Sequence, residues 1–214
     1  MTIKTLYTLF FLIFCRISAS AQCAGPFNGA SNCDPNSSGI SITNSPDIEF
    51  DFDSFGKING GILLSGRSIV RITAANNPAQ TCKWNLIMYV NNGSAIAPPN
   101  EWEELSVYGT GTALSPSLNL IEVRVNNFCN TPQNNGVWQS FAANNGSSIN
   151  IINDITNPGL NLAGNCNGSE VNTAGSFLTN YGEYTFTIDY KITPGFAYKP
   201  GRYSMRISFC LSEM

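Results

Sequence analysis

Residues 183–211 read EYTFTIDYKITPGFAYKPGRYSMRISFCL, two alternating runs on either side of a turn-rich connection. In the first run Tyr184, Phe186, Ile188, Tyr190 and Ile192 share one parity, and Glu183, Thr185, Thr187, Asp189 and Lys191 share the other. In the second, Tyr203, Met205, Ile207, Phe209 and Leu211 alternate with Arg202, Ser204, Arg206, Ser208 and Cys210. Successive side chains of an extended chain point to opposite sides, so a period of two marks a strand with one buried and one wet face. Pro194-Gly195 and Pro200-Gly201 bracket the connection and stop both runs.

The same period recurs upstream. WNLIMYV sends Trp84, Leu86, Met88 and Val90 inward, RSIVRIT does so with Val70 and Ile72, and LIEVRV with Ile121, Val123 and Val125. A short strand is expected near Ile40 to Thr43. Asn-Gly pairs begin at positions 28, 59, 92, 135, 145 and 167. That pair tolerates the positive φ of tight reversals, so several of these are expected to turn one strand into the next. No helical period of useful length follows residue 21. The pattern predicts an all-β fold, an antiparallel β-sandwich of Ig-like or pilin-like type, in which burial of one face of each sheet supplies the driving force.

The start of the chain, MTIKTLYTLFFLIFCRISASAQC, has the layout of a secretory leader. Lys4 supplies the positive charge, Leu6 to Cys15 an apolar run too short to span a bilayer, and Ala19-Ser20-Ala21 a small-x-small cleavage site before Gln22. The expected organisation is a signal peptide over 1–21, a disulfide-pinned N-terminal segment over 22–46 and one β-sandwich domain over 47–214. Gly, Asn, Pro or charge interrupts every later apolar run, so no membrane span is expected. The expected location is secreted, periplasmic or at the cell surface. Removing 1–21 takes away Lys4 and Arg16 and no acid, which moves the formal charge from −3 to −5. A mildly acidic chain without clustered Lys and Arg argues against a nucleic-acid partner.

Six cysteines lie beyond the leader: Cys23, Cys33, Cys82, Cys129, Cys166 and Cys210. An even number in an exported chain reads as a disulfide framework. Cys23–Cys33 and Cys129–Cys166 as loop staples, with Cys82–Cys210 tying two strands, is the pairing expected here. The chain contains no His. That removes Ser-His-Asp and Cys-His nucleophile systems, His-ligated zinc and imidazole bases, and leaves carboxylates, Lys and Tyr to any enzyme.

Three groups of residues are candidates for a site. Asp47, Glu49, Asp51 and Asp53 alternate with Ile48, Phe50 and Phe52. Either they are the wet face of an edge strand or, as a D-x-D stretch near a Gly, they hold a calcium ion, although the later acids of a calcium loop are missing. Glu101 and Glu103 flank Trp102 in NEWEEL, the carboxylate pair and sugar-stacking ring from which a glycosidase site is built. Trp102 and Trp138 lie beside polar and Gly-rich stretches and are the better surface candidates for a carbohydrate platform, with core or inter-sheet packing the alternative role for each; Trp84 is in phase with the core.

Residues 50–90, FDFDSFGKINGGILLSGRSIVRITAANNPAQTCKWNLIMYV, resemble the opening of small exported β-domains common in Bacteroidetes. In those an aromatic strand precedes an Asn-Gly turn, a Val/Ile strand and a Trp-x-Leu strand. Residues 184–211 are similar to the last two strands of the same domains and of fimbrial and spore-coat-like subunits, and the leader end SASAQ is similar too. Residues 100–180 lie outside the resemblance, and it transfers no catalytic residue. It implies an exported structural or adhesive subunit. The expected function is therefore a non-enzymatic structural or adhesion/binding protein of the cell surface or envelope, with a fibre-associated subunit as one form of it. Its expected partners are a protein or glycan at the cell surface and, by self-association, further copies of itself; no cofactor is expected. A carbohydrate-binding module is the first alternative and a carboxylate-dependent glycoside hydrolase the second.

Overall fold

The computed structural model describes residues 14–21, 33–36, 38–43, 47–73, 84–92, 100–108, 113–126, 136–152 and 184–213. In chain order these form β1 (Phe14–Ala21), β2 (Gly39–Thr43), β3 (Asp47–Asp51), a helix α1 (Phe55–Gly60), β4 (Ile62–Thr73), β5 (Trp84–Asn91) and β6 (Glu103–Val107). A 3-10 turn (Leu118–Leu120), β7 (Ile121–Asn126), β8 (Trp138–Ser140), β9 (Ser148–Ile152), β10 (Tyr184–Ile192) and β11 (Gly201–Glu213) follow. The fold is all-β and made of two sheets. The first runs β3-β1-β11-β5-β9, with β6 also paired to β11, and the second runs β2-β4-β10-β7-β8. Among the described residues every strand pair is antiparallel except β1 with β11.

One hydrophobic cluster draws on both sheets and keeps the expected parities. Trp84, Leu86, Met88 and Val90 are buried on β5, and Tyr203, Met205, Ile207, Phe209 and Leu211 on β11. From the second sheet come Val70 and Ile72, Ile121, Val123 and Val125, and Phe186, Ile188, Tyr190 and Ile192. At roughly 1.5–3 kcal/mol for each fully buried large side chain, this cluster is the main term opposing chain entropy. The two C-terminal runs do not pair with each other. β10 is central in the second sheet and β11 in the first, so residues 193–200 carry the chain from one sheet to the other. The Tyr203 hydroxyl, donating to the Lys199 carbonyl at 2.8 Å, pins the end of that crossing.

Three local features depart from the sequence reading. Asn59-Gly60 does not reverse a hairpin but lies in α1. The Ser54 hydroxyl accepts from the Lys57 amide at 3.3 Å at the start of this helix, and Gly61, at φ 79°, donates to the Lys57 carbonyl at 2.8 Å at its end. A side chain at 61 would press on the Ile192 carbonyl oxygen, 2.6 Å from the Cβ position. The Asn-Gly expectation holds at Gly136 and Gly146, both at positive φ. β4 begins at Ile62, well ahead of RSIVRIT, and passes through a bulge at Gly66 (φ 58°). The third departure is β1. Residues 14–21, inside the stretch read as a leader, form an interior strand between β3 and β11.

Candidate functional site

The acidic stripe keeps its alternation. Ile48, Phe50 and Phe52 are buried, the Phe50 and Phe52 rings are stacked with centroids 6.4 Å apart, and Glu49 and Asp51 are exposed. Asp47 opens β3, an edge strand, and Asp53 lies just past its end. There Asp53 pairs with Lys57 at 2.9 Å, each side chain 44% exposed. Strand geometry spreads same-face neighbours about 7 Å apart, too far for several carboxylates to converge on one ion. Among the described residues no three of Cys, Asp or Glu are grouped to hold a metal.

The Glu-Trp-Glu stretch is tied into the fold by its backbone and side chains. Trp102 is 1% exposed, which corrects the expectation of a surface platform. Its indole N–H donates to the Ser117 carbonyl at 2.9 Å. The backbone explains the burial: the Trp102 amide donates to the Pro116 carbonyl at 2.8 Å and the Leu118 amide to the Asn100 carbonyl at 3.0 Å, which folds residues 116–118 against 100–102. Glu101 bridges Ser117 in the same ladder. Glu103 accepts from the Ser204 hydroxyl at 3.1 Å across the β6–β11 pair, and Glu104 is ion-paired to Lys199. These acids fasten β6 and its flank to the start of β11.

Trp138 is half-buried on β8, and two cations hold its ring. The Arg124 guanidinium and the Lys191 ammonium each lie 4.7 Å from the ring centroid. Lys191 also pairs with Glu122 at 2.7 Å. A sugar stacking on this ring would have to compete with contacts worth roughly 0.5–2 kcal/mol each.

The same face carries the constellation that sequence reading missed. Parity placed Asp189 on the wet side of β10, yet it is 4% exposed. Between the pairs Ile188–Ser68 and Tyr190–Leu64 the register shifts, so Ser65, Gly66 and Arg67 stand opposite the single residue Asp189. The carboxylate fills that bulge. Oδ1 accepts from the Gly66 amide at 2.6 Å, and Oδ2 accepts from Arg124 Nε at 2.8 Å, Arg124 Nη2 at 2.7 Å and Asn126 Nδ2 at 3.0 Å. Just inside it the Tyr190 hydroxyl donates to Ser68 Oγ at 2.9 Å, and burial pushes this phenol well above its ordinary range. The arrangement satisfies a buried charge and a bulged backbone together, which is structural work. The one hint in the sequence was Gly66 inside an apolar run, where an isolated Gly marks a bulge.

Asn92 and Asn145, which begin two of the Asn-Gly pairs, are also tied into the fold. Asn92 is buried, its amide donates to Asn145 Oδ1 at 3.0 Å, and Asn145 Nδ2 donates back to Asn92 Oδ1 at 3.4 Å. Cys33 is buried and Cys210 half-buried on β11. Cys23, Cys82, Cys129 and Cys166, and with them all three expected pairings, involve positions outside the described residues.

Among the described residues, exposed apolar side chains gather where α1 meets the β10–β11 crossing. Phe55 on α1 and Phe196 in the β10–β11 crossing are 68% and 63% exposed, with ring centroids 5.9 Å apart. The Gly195 amide donates to the Ile58 carbonyl at 3.0 Å and locks the crossing to α1. Leu114, 70% exposed, bridges Tyr198 in the same crossing. No protein-family model matches this chain, and no curated protein is significantly similar to it.

Proposed function

We propose that this chain is an exported, non-enzymatic structural or adhesion/binding protein of the cell surface or envelope, of the kind that serves as a fibre-associated subunit. Its two sheets act as a β-sandwich cross-linked by disulfides after the leader over 1–21 is removed. Cys23–Cys33, Cys129–Cys166 and Cys82–Cys210 are the staples. Its partner is a protein or glycan at the cell surface.

The observation that carries the reading is the exposed end formed by Phe55, Phe196 and Leu114. A backbone hydrogen bond and a ring contact hold these apolar groups in place, yet most of their surface faces water. Apolar side chains that are fixed and exposed together mark an interaction surface. The commitment of Glu103 and Glu104 to cross-strand ties, and of Trp102 to the core, supports a binding role over a glycosidase role.

The test is the double substitution Phe55→Ser with Phe196→Ser. Both side chains are exposed, so circular dichroism and the melting temperature are expected to change little. Retention of the exported chain in an envelope fraction is expected to fall at least fivefold. Unchanged retention would remove the exposed end from the function.

A further inference from the structure

Resting on the surface reading above for its setting, we propose that the outer face of the second sheet binds an acidic glycan, whose acid groups are taken by Arg67, Lys191 and Arg124 beside Trp138. This is a second contact surface, apart from the end formed by Phe55, Phe196 and Leu114.

Strand register gathers these residues. The bulge sets Arg67 across from Asp189, Asp189 pairs with Arg124, and Arg124 pairs with Trp138, so one row crosses β4, β10, β7 and β8. Three strand spacings separate its ends, about 14 Å. Lys191 stands in the next row, between Leu63 and Glu122. Ser68, Val123 and Val125 are buried toward the core, which leaves Arg67, Glu122 and Arg124 on the outer side. Among the described residues the charged groups of this face are Arg67, Arg71, Arg124, Lys191, Glu122 and Asp189. Cations are thus in excess there, in a chain whose formal charge is −3. One of the two carboxylates, Asp189, is buried beneath the row.

The ties already described leave donors over for a ligand. Arg124 meets Asp189 through Nε and Nη2, so Nη1 lies off the guanidinium edge that faces the buried acid. Lys191 pairs with Glu122 through one of three N–H groups. Arg67 is exposed and forms no ion pair among the described residues. Trp138 keeps two of these cations together. Each lies 4.7 Å from the ring centroid, so they are within twice that distance of each other. Like charges so placed repel, and the ring quadrupole offsets part of that repulsion. An incoming acid group that accepts from both offsets more. Trp138 is therefore a positioning residue: the cations it holds carry the contact, and no sugar needs to displace them from the ring. Protein interfaces centre on a buried aromatic or apolar core and are poor in Lys. A row of guanidinium and ammonium groups flanked by Thr187, Asn126 and Ser140 suits a chain of hydroxylated rings that carries acids.

The test is equilibrium binding of the purified chain to polygalacturonate and to dextran sulfate, which present carboxylate and sulfate respectively. Neutral dextran, poly-glutamate and phosphatidylglycerol vesicles are the comparators. At least one acidic glycan is expected to bind tenfold tighter than every comparator, and the better of the two identifies the acid. Raising salt from about 0.05 to 0.5 M is expected to weaken that binding at least tenfold. Arg67→Ala and Lys191→Gln are each expected to weaken it at least fivefold with little change in melting temperature. Trp138→Leu is expected to weaken it as much, and Trp138→Phe, which keeps a ring, to restore most of it. Trp84 and Trp102 are buried, so the ligand-induced change in indole emission is expected to come from Trp138 and to vanish in Trp138→Phe while binding persists. Arg67 is exposed, so its variant decides the matter if another fails to fold. Absence of binding to both acidic glycans, full binding by Arg67→Ala, or a comparator bound as tightly overturns the inference. The Phe55→Ser, Phe196→Ser protein is expected to bind like the parent. Lost glycan binding with envelope retention still dependent on those two rings sinks this inference alone; intact glycan binding with retention indifferent to them sinks the exposed end alone.

Discussion

The two sheets solve the same problem with different means. In the second sheet each described strand lies within 39–192, and the bulge opposite β10 is closed from inside by Asp189, with donors from β4 and β7. In the first sheet β11 is equally central, but one of its edges is satisfied by residues 14–21. The second sheet is therefore complete within residues 39–192, while the first is complete only with residues 14–21 in place. Backbone groups must find partners wherever water is excluded. Part of the first sheet's stability thus depends on residues 14–21, while the second sheet's does not.

Deleting residues 14–21 puts the largest strain on that comparison. β3 loses its strand partner along Asp47–Asp51 and β11 loses one along Arg202–Phe209. Half-uncovering the buried Ile48 and Phe50 on that stretch, together with the lost ladder hydrogen bonds, costs about 3–4 kcal/mol, or about 10 °C in melting temperature for a domain of this size. Hydrogen exchange is expected to speed up in β3 and along Arg202–Phe209 of β11, while β4 and β10 keep their protection. Loss of protection spread evenly through both sheets would mean that the second is not independent of the first.

Asp189→Asn attacks the other side of the comparison. The substitution keeps the shape but removes the charge that Arg124 and the Gly66 amide answer. Breaking a fully buried ion pair costs about 3–5 kcal/mol; with the Arg124 side chain 31% exposed we expect about 2 kcal/mol by urea denaturation. Adding Arg124→Met is expected to recover part of it, because the uncompensated cation goes with the pair. A loss below about 0.5 kcal/mol would show that the bulge does not depend on its carboxylate.

How much of this was legible depends on whether the deciding contact is local. β5 and the apolar parity of β11 were readable from the sequence, because the alternation that buries Leu86 or Ile207 is a property of the strand itself; Ser208, on the polar parity of β11, is buried all the same. Asp189 was not, since the residues covering it belong to a bulge about 120 positions earlier in the chain. Trp102 stayed open between core and surface for the same reason: its polar neighbours Glu101 and Glu103 suggest a surface, and the stretch around Pro116 that folds against it pairs across a gap of more than a dozen residues. Residues 14–21 carry a leader's composition, and their use as a strand depends on the edges that β3 and β11 offer them.

The smallest effect is expected at the acidic stripe, where the comparison is sharpened by a position that should matter to neither sheet. Asp51 is exposed at the end of an edge strand, and its neighbours on that face are set apart by strand geometry. Asp51→Asn should therefore shift stability by less than about 0.5 kcal/mol, the range of exposed sites away from special contacts. Millimolar calcium should leave the melting temperatures of parent and variant equally unmoved. A calcium-dependent rise of several degrees in the parent, lost in Asp51→Asn, would require the carboxylates to leave their strand spacing and converge. β3 would then be an ion-binding segment rather than a plain edge strand held by its pairing with β1.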